Sequence, residues 1–275
     1  MRKFSAAIFV LLVSSTAQAQ WTQISSQSEP SPLRGLEHRY IVAEQSATGD
    51  RASLELAIFS TKSCRLRVID QPNEPRLDLE EAMSRGNFVA GVNGGYFDPD
   101  YKPIGLLIVD GTIIAPLQKA RLLSGVLGGS AKKVQISRVA EFSMAQKPDA
   151  AVECGPMVVD LGKSVRGLES TRAARRTFAA VGAGDKAALG FCSEVTLADL
   201  SNILSTIVNP DFKIQRALNL DGGPPACQAV AIGTFRRSVC SNSETSSDAG
   251  QLRVLGQLFG QRPWGLPIVL AVFPK

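Results

Sequence analysis

Two stretches of the sequence share one design: Val89-Ala90-Gly91-Val92-Asn93-Gly94-Gly95 and Ala217-Leu218-Asn219-Leu220-Asp221-Gly222-Gly223. In each, an apolar run of strand length ends in a polar residue and two glycines. Paired glycines let the backbone turn sharply and approach a ligand closely, and loops that leave strand ends are common binding sites in α/β proteins. The pattern predicts two buried strands with a binding site at their ends. Two ordinary tight turns would have the same sequence, so that alternative stays open.

Strand-like runs outnumber helical ones in the rest of the chain. Asp110-Gly111 between two apolar runs is a strong hairpin signal, and helical spacing occurs at residues 77–85 and after Thr196. Further strands are expected at residues 54–60, 66–69, 105–109, 112–115, 125–127, 134–139, 157–159, 177–183, 187–191, 230–232, 235–239 and 266–273. Surface loops are expected at residues 166–175 and 241–250.

These elements predict an α+β fold, a single domain with a mixed β-sheet rich in hairpins and a few packing helices. The domain is expected to span residues 54–275, after an N-terminal leader and edge segment at residues 20–53.

The amino terminus has the pattern of a signal peptide. Arg2 and Lys3 precede an apolar run at residues 6–13, and Ala17-Gln18-Ala19 matches the small-residue cleavage site. The run is far shorter than the ~20 residues of a membrane span, which favours cleavage before Gln20 over an uncleaved anchor. No later segment is apolar enough to span a bilayer. The sequence therefore predicts an exported protein, periplasmic or secreted, without a membrane span.

The charge and the composition of the chain limit the classes of partner that it is expected to bind. The formal net charge of +5 falls to +3 when Arg2 and Lys3 leave with the signal peptide, and there is no dense basic run. No nucleic-acid partner is therefore predicted. The odd number of cysteines, 5, leaves at least one unpaired in an oxidising compartment. Cys227 and Cys240 flank a predicted hairpin and could form a disulfide across it.

Candidate chemical groups are few because His38 is the only histidine. A metal centre of several histidines is excluded, and carboxylates, arginines and amides remain. Arg176 and Thr177 enter a predicted strand, where the guanidinium fork suits phosphate oxygens; a solvated loop face is the alternative. The turn Asp98-Pro99-Asp100 could bind a divalent cation such as calcium or carry solvated carboxylates. No cofactor or protein metal ligand is assigned.

Four segments together resemble the motifs of the phosphodiester glycosidase family, the family of the lysosomal uncovering enzyme. They occur in the family's order, within a similarity over residues 54–273. The four are Asn93-Gly94-Gly95-Tyr96-Phe97, Gly155-Pro156-Met157-Val158-Val159, Arg176-Thr177 and Asn219-Leu220-Asp221-Gly222-Gly223.

The resemblance implies a hydrolase that cleaves a sugar-1-phosphodiester on the C1–O side, in a carbohydrate or cell-envelope substrate. In this interpretation Asp221 is the carboxylate near C1, Arg176 holds the phosphate, and Glu153 is a second catalytic carboxylate. The implied substrate-binding residues are Asn93, Gly94, Gly95, Tyr96, Thr177, Asn219, Gly222 and Gly223.

Two departures from the family pattern bear on this interpretation. Pro224-Pro225-Ala226 follows the second glycine pair where the family has a serine, and Glu153 stands where glutamine is common. The missing hydroxyl keeps a second function open: a catalytically weakened module that binds a glycan or a phosphodiester. A purely structural domain would require that the four motifs lie apart in space.

Overall fold

The computed structural model describes residues 20–206, 212–240, 243–248, 251–257 and 265–275. The predicted signal peptide, residues 1–19, lies outside this part of the chain. The strands are β1 (Trp21–Pro30), β2 (Leu36–Gln45), β3 (Arg51–Ser60), β4 (Cys64–Asp70), β5 (Ala90–Asn93), β6 (Leu107–Val109), β7 (Thr112–Ala115), β8 (Gly125–Gly129), β9 (Val134–Arg138), β10 (Ala150–Cys154), β11 (Met157–Asp160), β12 (Lys163–Ser164), β13 (Ala174–Gly182), β14 (Lys186–Val195), β15 (Ile214–Asn219), β16 (Cys227–Ile232), β17 (Phe235–Cys240), β18 (Ser243–Asp248), β19 (Gln251–Gln257) and β20 (Ile268–Pro274). The α-helices are α1 (Leu79–Gly86) and α2 (Leu197–Thr206), and short 3-10 turns lie at Val139–Glu141 and Met144–Gln146.

The strands form three sheets. One has 8 strands in the order β1-β2-β3-β14-β13-β15-β11-β12, the second has 5 in the order β7-β6-β10-β8-β9, and the third has 7 in the order β19-β18-β17-β16-β5-β20-β4. Every pairing among the described strands is antiparallel. The prediction of one mixed sheet was therefore wrong. A parallel pair needs a long crossover, usually a helix, and this chain instead connects its strands through hairpins and passages between sheets.

One apolar core joins the three sheets into a single unit. Strand β20 shows how: Leu270 and Val272 face the core shared by all three sheets, while Val269 and Ala271 face α1 on the other side. Helix α2 covers the opposite outer face, where Leu200 packs against the far side of the 8-stranded sheet. Most of the chain is strand, so the α+β label fits only in that two helices pack on a β framework.

The hairpin predictions are confirmed. Asp110 and Gly111 have φ of 46° and 80° in the turn between β6 and β7, as a two-residue hairpin turn of the I′ kind requires. The predicted helices form as well, and the hydroxyl of Thr196 caps α2 by accepting from the backbone of Asp199 (3.0 Å). Asn87 caps the carboxyl end of α1 in the left-handed conformation, with φ of 55°.

Several strands were not predicted from the sequence, among them β2 and β18, whereas β1 lies where the sequence predicted an edge segment. Residues 243–248 were predicted as loop and form the strand β18, and β2 was missed. The polar segment that follows Gln20 forms β1, an outer strand of the 8-stranded sheet, exposed along all but its first residue. An antiparallel ladder is built from backbone groups, so polar strands form readily once a neighbour supplies the register. The domain boundary between residues 53 and 54 stays a prediction.

A buried charged cluster ties two sheets together. Glu55 on β3 is 2% exposed; its Oε2 lies 2.7 Å from His38 Nε2, and its Oε1 accepts from Arg237 on β17 (Nε, 2.8 Å). The only histidine is thus bonded within the core, and the chemistry of the site has to come from other groups. In the part of the chain that the structure describes, no helix is long and apolar enough to cross a membrane.

Replacing Glu55 tests this cluster. Glu55→Gln keeps the shape of the side chain but removes the buried charge that His38 and Arg237 both contact, so the free energy of unfolding should fall by about 3 kcal/mol. Glu44→Gln is the matched control, because Glu44 on the adjacent strand pairs with an arginine that is 67% exposed, and it should change stability by less than about 1 kcal/mol. Urea unfolding measures both, and equal effects would contradict the prediction.

Candidate functional site

The four motif segments meet at one place. Asn93, at the end of β5, is the centre of the contact: its Nδ2 donates to the carbonyl of Asp221 (2.6 Å), and its Oδ1 accepts from Thr177 Oγ1 (2.7 Å) and from Cys227 N (3.0 Å). Asn93 is 2% exposed and Thr177 is fully buried. The amide of Asn93 therefore positions three segments of the protein, and it has only one N–H left for a ligand.

The second motif joins the same cluster through the carbonyl of Gly155. This oxygen accepts from the hydroxyl of Tyr96 and from Asn219 Nδ2 (3.0 Å). Asn219 Nδ2 also lies 3.2 Å from the Tyr96 hydroxyl oxygen and 2.7 Å from the carbonyl of Leu220. The Oδ1 of Asn219 is buried without a partner among the described residues. A buried acceptor without a donor is costly unless water or a ligand supplies one.

Asp221 follows β15 and carries a carboxylate with no ion-pair partner in the described chain. Burial raises the pKa of this carboxyl to about 7, and a hydrogen bond from the backbone of Gly222 opposes the rise. The segment is held from both sides: Asp221 N donates to the carbonyl of Gly94 (3.2 Å), and Gly223 N donates to that of Arg175 (2.8 Å).

Glycine is required at position 222 by the close approach of its neighbour. A Cβ built there would lie 2.7 Å from the Arg175 carbonyl oxygen. Gly94 and Gly95 are equally tight, with built Cβ atoms 2.3 Å from Ile268 and 2.7 Å from Val152. These glycines bring the protein's own strands together at the site, which is a different use from the close approach to a ligand that the sequence suggested.

Arg176 lies on β13 beside this cluster. Its Nε donates to the carbonyl of Val195 (3.0 Å) and its Nη2 to that of Arg172 (2.7 Å). Burial lowers the pKa of the guanidinium, but arginine stays charged. Two of its five N–H groups are thus used within the described chain, and three remain available to an anion.

Tyr96 is the shared neighbour of Asp221 and Arg176. Burial raises the pKa of its hydroxyl, the charge of Asp221 raises it further, and Arg176 lowers it. The hydroxyl therefore stays protonated. Asp221 and Arg176, the two charged residues that act on it, form no ion pair with each other in the described chain.

Glu153 does not join the other three predicted residues. It is fully buried on β10, and its Oε2 accepts from the backbone of Leu106 (2.8 Å) and Gln118 (2.9 Å). Successive residues of a strand point to opposite faces, and the next residue, Cys154, is the one that faces Tyr96 and Asp221. In the structure Glu153 anchors the residue before β6 and the segment after β7, while its Oε1 has no partner among the described residues.

Cys154 is the neighbour that the sequence analysis missed. It is buried and unpaired, and burial raises the pKa of its thiol to about 12 with Tyr96 and Asp221 nearby. Strand alternation was the available signal, since it places Cys154 and Glu153 on opposite faces. A neutral thiol at this position lines the site with an apolar group.

The predicted disulfide is confirmed. Cys227 and Cys240 are bonded, with Cα atoms 4.2 Å apart, and the other three cysteines are free and buried. Cys227 comes directly after the Asp221 segment, and its backbone N–H donates to Asn93. The disulfide is therefore attached at the end of that segment. It stiffens one wall of the site.

In the turn at Asp98-Pro99-Asp100, which was a candidate for calcium binding, the carboxylate of Asp98 already accepts hydrogen bonds from the backbone. Asp98 Oδ1 accepts from the amides of Asp100 and Lys102, both at 2.9 Å. Within the described ranges, no group of three or more His, Cys, Asp or Glu side chains could hold a metal ion.

The pKa of Asp221 predicts how stability depends on pH. A carboxyl whose pKa rises from 3.8 to about 7 on folding binds its proton more tightly in the folded state. Its contribution to stability is therefore full below pH 4 and is lost as the pH rises towards 7.

Asp221→Asn should remove this dependence, so the variant should be more stable than the parent at pH 8 and nearly equal to it at pH 4. The difference is expected to approach about 1.4 kcal/mol for each unit of the pKa shift. Urea unfolding at the two pH values measures it. Asp100→Asn, at an exposed carboxylate, is the control, and the same pH dependence in both variants would contradict the interpretation.

Comparisons with known proteins identify related sequences and related folds. The sequence model of the phosphodiester glycosidase family matches residues 86–253, which include all four motif segments. No curated protein sequence matches the chain. Similar solved structures include the catalytic domain of zebrafish N-acetylglucosamine-1-phosphodiester alpha-N-acetylglucosaminidase, auto-inhibited by its pro-peptide, with a TM-score of 0.58 and 13% identity over 92% of this chain and 89% of that one.

A hypothetical protein from Synechocystis is also similar, with a TM-score of 0.59 and 13% identity. That similarity covers 88% of this chain and 62% of the Synechocystis protein. At such identity these structures show a shared fold. The family's sequence model, however, covers more than half of the chain, and the chain therefore belongs to the phosphodiester glycosidase family.

Proposed function

We propose that this chain is an exported hydrolase that cleaves a sugar-1-phosphodiester on the C1–O side, in a glycan or cell-envelope substrate. The observation that carries the proposal is Asp221: a largely buried carboxylate without a counter-ion, beside a guanidinium with free donors. Family membership supports the reaction class. The contacts of Asp221, Arg176 and Tyr96 support the roles proposed for these residues.

The proposed reaction transfers a sugar from phosphate to water. A water oxygen bonds to C1, the bond from C1 to the phosphate oxygen breaks, and its electron pair leaves on a phosphomonoester. Asp221 either accepts the proton of the water or first displaces the phosphomonoester from C1 itself; in the second route water then displaces Asp221 from C1, and the proton of the water passes to solvent. The leaving phosphomonoester is a weak base, so it needs little protonation and no second carboxylic acid. Glu153 can accordingly serve as an anchor.

Arg176 and Tyr96 serve the phosphate side in this proposal. Charge gathers on the phosphate oxygens as the C1–O bond breaks, and a preorganised guanidinium stabilises it more in the transition state than in the bound substrate. The Tyr96 hydroxyl already donates to Gly155, which keeps its ring fixed between Asp221 and Arg176. The unpartnered Oδ1 of Asn219 is an acceptor for a sugar hydroxyl.

A binding module without turnover is the second candidate, and the position of Ala226 favours it. Ala226 is fully buried in an apolar cluster with Phe191 and Val239. A serine hydroxyl is absent here, and the segment after Gly223 offers carbon atoms instead. In this alternative the site would bind a glycan or phosphodiester and release it unchanged.

Two substitutions separate the candidates. Asp221→Asn keeps the shape but removes the ionisable oxygen, so kcat should fall by about 10² to 10⁴ with binding largely retained. Arg176→Lys keeps the charge but loses the fork, so it should raise KM and lower kcat, together by about tenfold or more. Arg172→Lys, at an exposed arginine of the same segment, is the matched control.

Release of free sugar from a panel of sugar-1-phosphodiesters measures the rate. Both routes need ionised Asp221, so the rate of the parent should rise as the pH passes through about 7. Full activity of Asp221→Asn would remove this residue from the chemistry. Binding of the panel by the parent without any release of sugar would favour the binding module.

Export is the remaining part of the proposal, and residues 1–19 support it through their sequence pattern. Protein recovered from the periplasm or medium of a bacterial host should begin at Gln20. Mass spectrometry of the intact chain tests this, and a mass that retains residues 1–19 would contradict it.

A further inference from the structure

One stretch of the described chain contains most of its exposed large apolar side chains. Of the eight large hydrophobic residues that are exposed in the described chain, five lie within residues 104–122. These five are Ile104, Ile113, Ile114, Leu117 and Leu122. Single exposed apolar residues are ordinary, but a contiguous group of them indicates an interaction surface.

Strand β7 is exposed along most of its length. Ile113 and Ile114 are adjacent in the strand and therefore point to opposite faces, yet they are 52% and 45% exposed. The strand is also the outermost of the 5-stranded sheet. Both faces of this edge strand therefore present a β-branched apolar side chain that is about half exposed to solvent.

Basic residues interrupt this apolar segment. Lys119 and Arg121 are exposed between Leu117 and Leu122, and neither forms an ion pair with any described residue. The single acidic residue between positions 111 and 148 is Glu141, which pairs with Arg216. The segment therefore combines free positive charge with exposed apolar surface.

The same segment borders the candidate site. Gln118 N donates to Glu153 (2.9 Å), and a Cβ built on Gly155 would lie 2.2 Å from the carbonyl oxygen of Leu122. Gly155 is the residue whose carbonyl accepts from Tyr96. A surface that the segment contacts would thus lie beside Asp221 and Arg176.

We propose that this rim, defined as Ile113, Ile114, Leu117, Lys119, Arg121 and Leu122, docks on an anionic lipid bilayer. Apolar side chains enter the boundary between headgroups and acyl chains, while lysine and arginine contact lipid phosphates, the combination that holds peripheral proteins on membranes. A second copy of the chain fits less well. A two-fold interface would bring the unpaired Lys119 and Arg121 of both copies to the same contact.

Docking has a consequence for the substrate that rests on the proposed function. A site held against a bilayer reaches a phosphodiester at the height of the headgroups. The alcohol side of the substrate would then be a lipid, with the sugar directed at Asp221.

Vesicle sedimentation tests the docking with the protein purified after export. The parent should bind vesicles of phosphatidylglycerol and phosphatidylcholine, and bind vesicles of phosphatidylcholine alone much less. Ile113→Ser with Ile114→Ser should weaken binding by about tenfold or more. Lys119→Glu with Arg121→Glu should weaken it by about fivefold or more for each charge, and high salt should reproduce that loss.

Matched controls lie elsewhere on the surface. Leu161→Ser replaces an apolar side chain that is 72% exposed in the turn between β11 and β12, and Lys132→Glu with Lys133→Glu reverses two exposed charges in the turn between β8 and β9. The apolar control should change binding by no more than about twofold. The charge control should weaken binding less than the same charge reversal at Lys119 and Arg121. All variants share one amino terminus, so any contribution from residues 6–13 cancels in the comparison.

Three outcomes would overturn the proposal. The first is equal binding by the rim variants and the parent, and the second is an equal loss of binding in the rim and control variants. The third is a dimer that the isoleucine substitutions dissociate while vesicle binding is absent, which would assign the rim to a second copy. Hydrolysis of a soluble sugar-1-phosphodiester is measured in parallel. Its absence in a parent that binds vesicles would count against the proposed function and leave the docking intact.

Discussion

The site depends on one buried amide, that of Asn93. Three segments that are distant in sequence are held by it, and each bond is short and shielded from water. Each hydrogen bond of this kind adds only about 1 kcal/mol to the stability of the protein, but a buried donor or acceptor that is left without its bond lowers the stability by more. The arrangement is consequently all or none: the end of β5 is either joined correctly to β13, to the segment after β15 and to the start of β16, or buried groups are left unsatisfied.

Against that rigid background the carboxylate of Asp221 is kept away from its natural counter-charge. The absence of a nearby ion pair, which would lower the pKa of Asp221, lowers the stability of the protein at neutral pH. Arg176 is anchored on backbone carbonyls and not on Asp221. Two opposite charges that share a neighbour, Tyr96, and do not bond to each other are a common sign of a site prepared for a ligand.

Much of this could be predicted from the sequence because turns and strand ends carry local signals. Asp110-Gly111 determines its hairpin by backbone conformation alone. The glycines after Asn93 and Asp221 indicated a close approach at the strand ends, although at Gly94, Gly95 and Gly222 the neighbour is the protein itself and not a ligand. Other features depend on long-range packing. Which face of β10 meets the core decides the fate of Glu153, and the polar residues of β18 gave no apolar pattern from which a strand could be inferred. The direction of the strand pairs likewise depends on connections between sheets.

The anchoring of the Asp221 segment has a consequence for how the family can diversify. Asn93 reads its partners at positions 221 and 227 through a backbone carbonyl and a backbone amide, which every residue type other than proline supplies. The side chain at position 221 can therefore change in evolution without dismantling the scaffold that presents it. A hydrolase and a non-hydrolytic receptor for the same ligand would then be separated by very few substitutions.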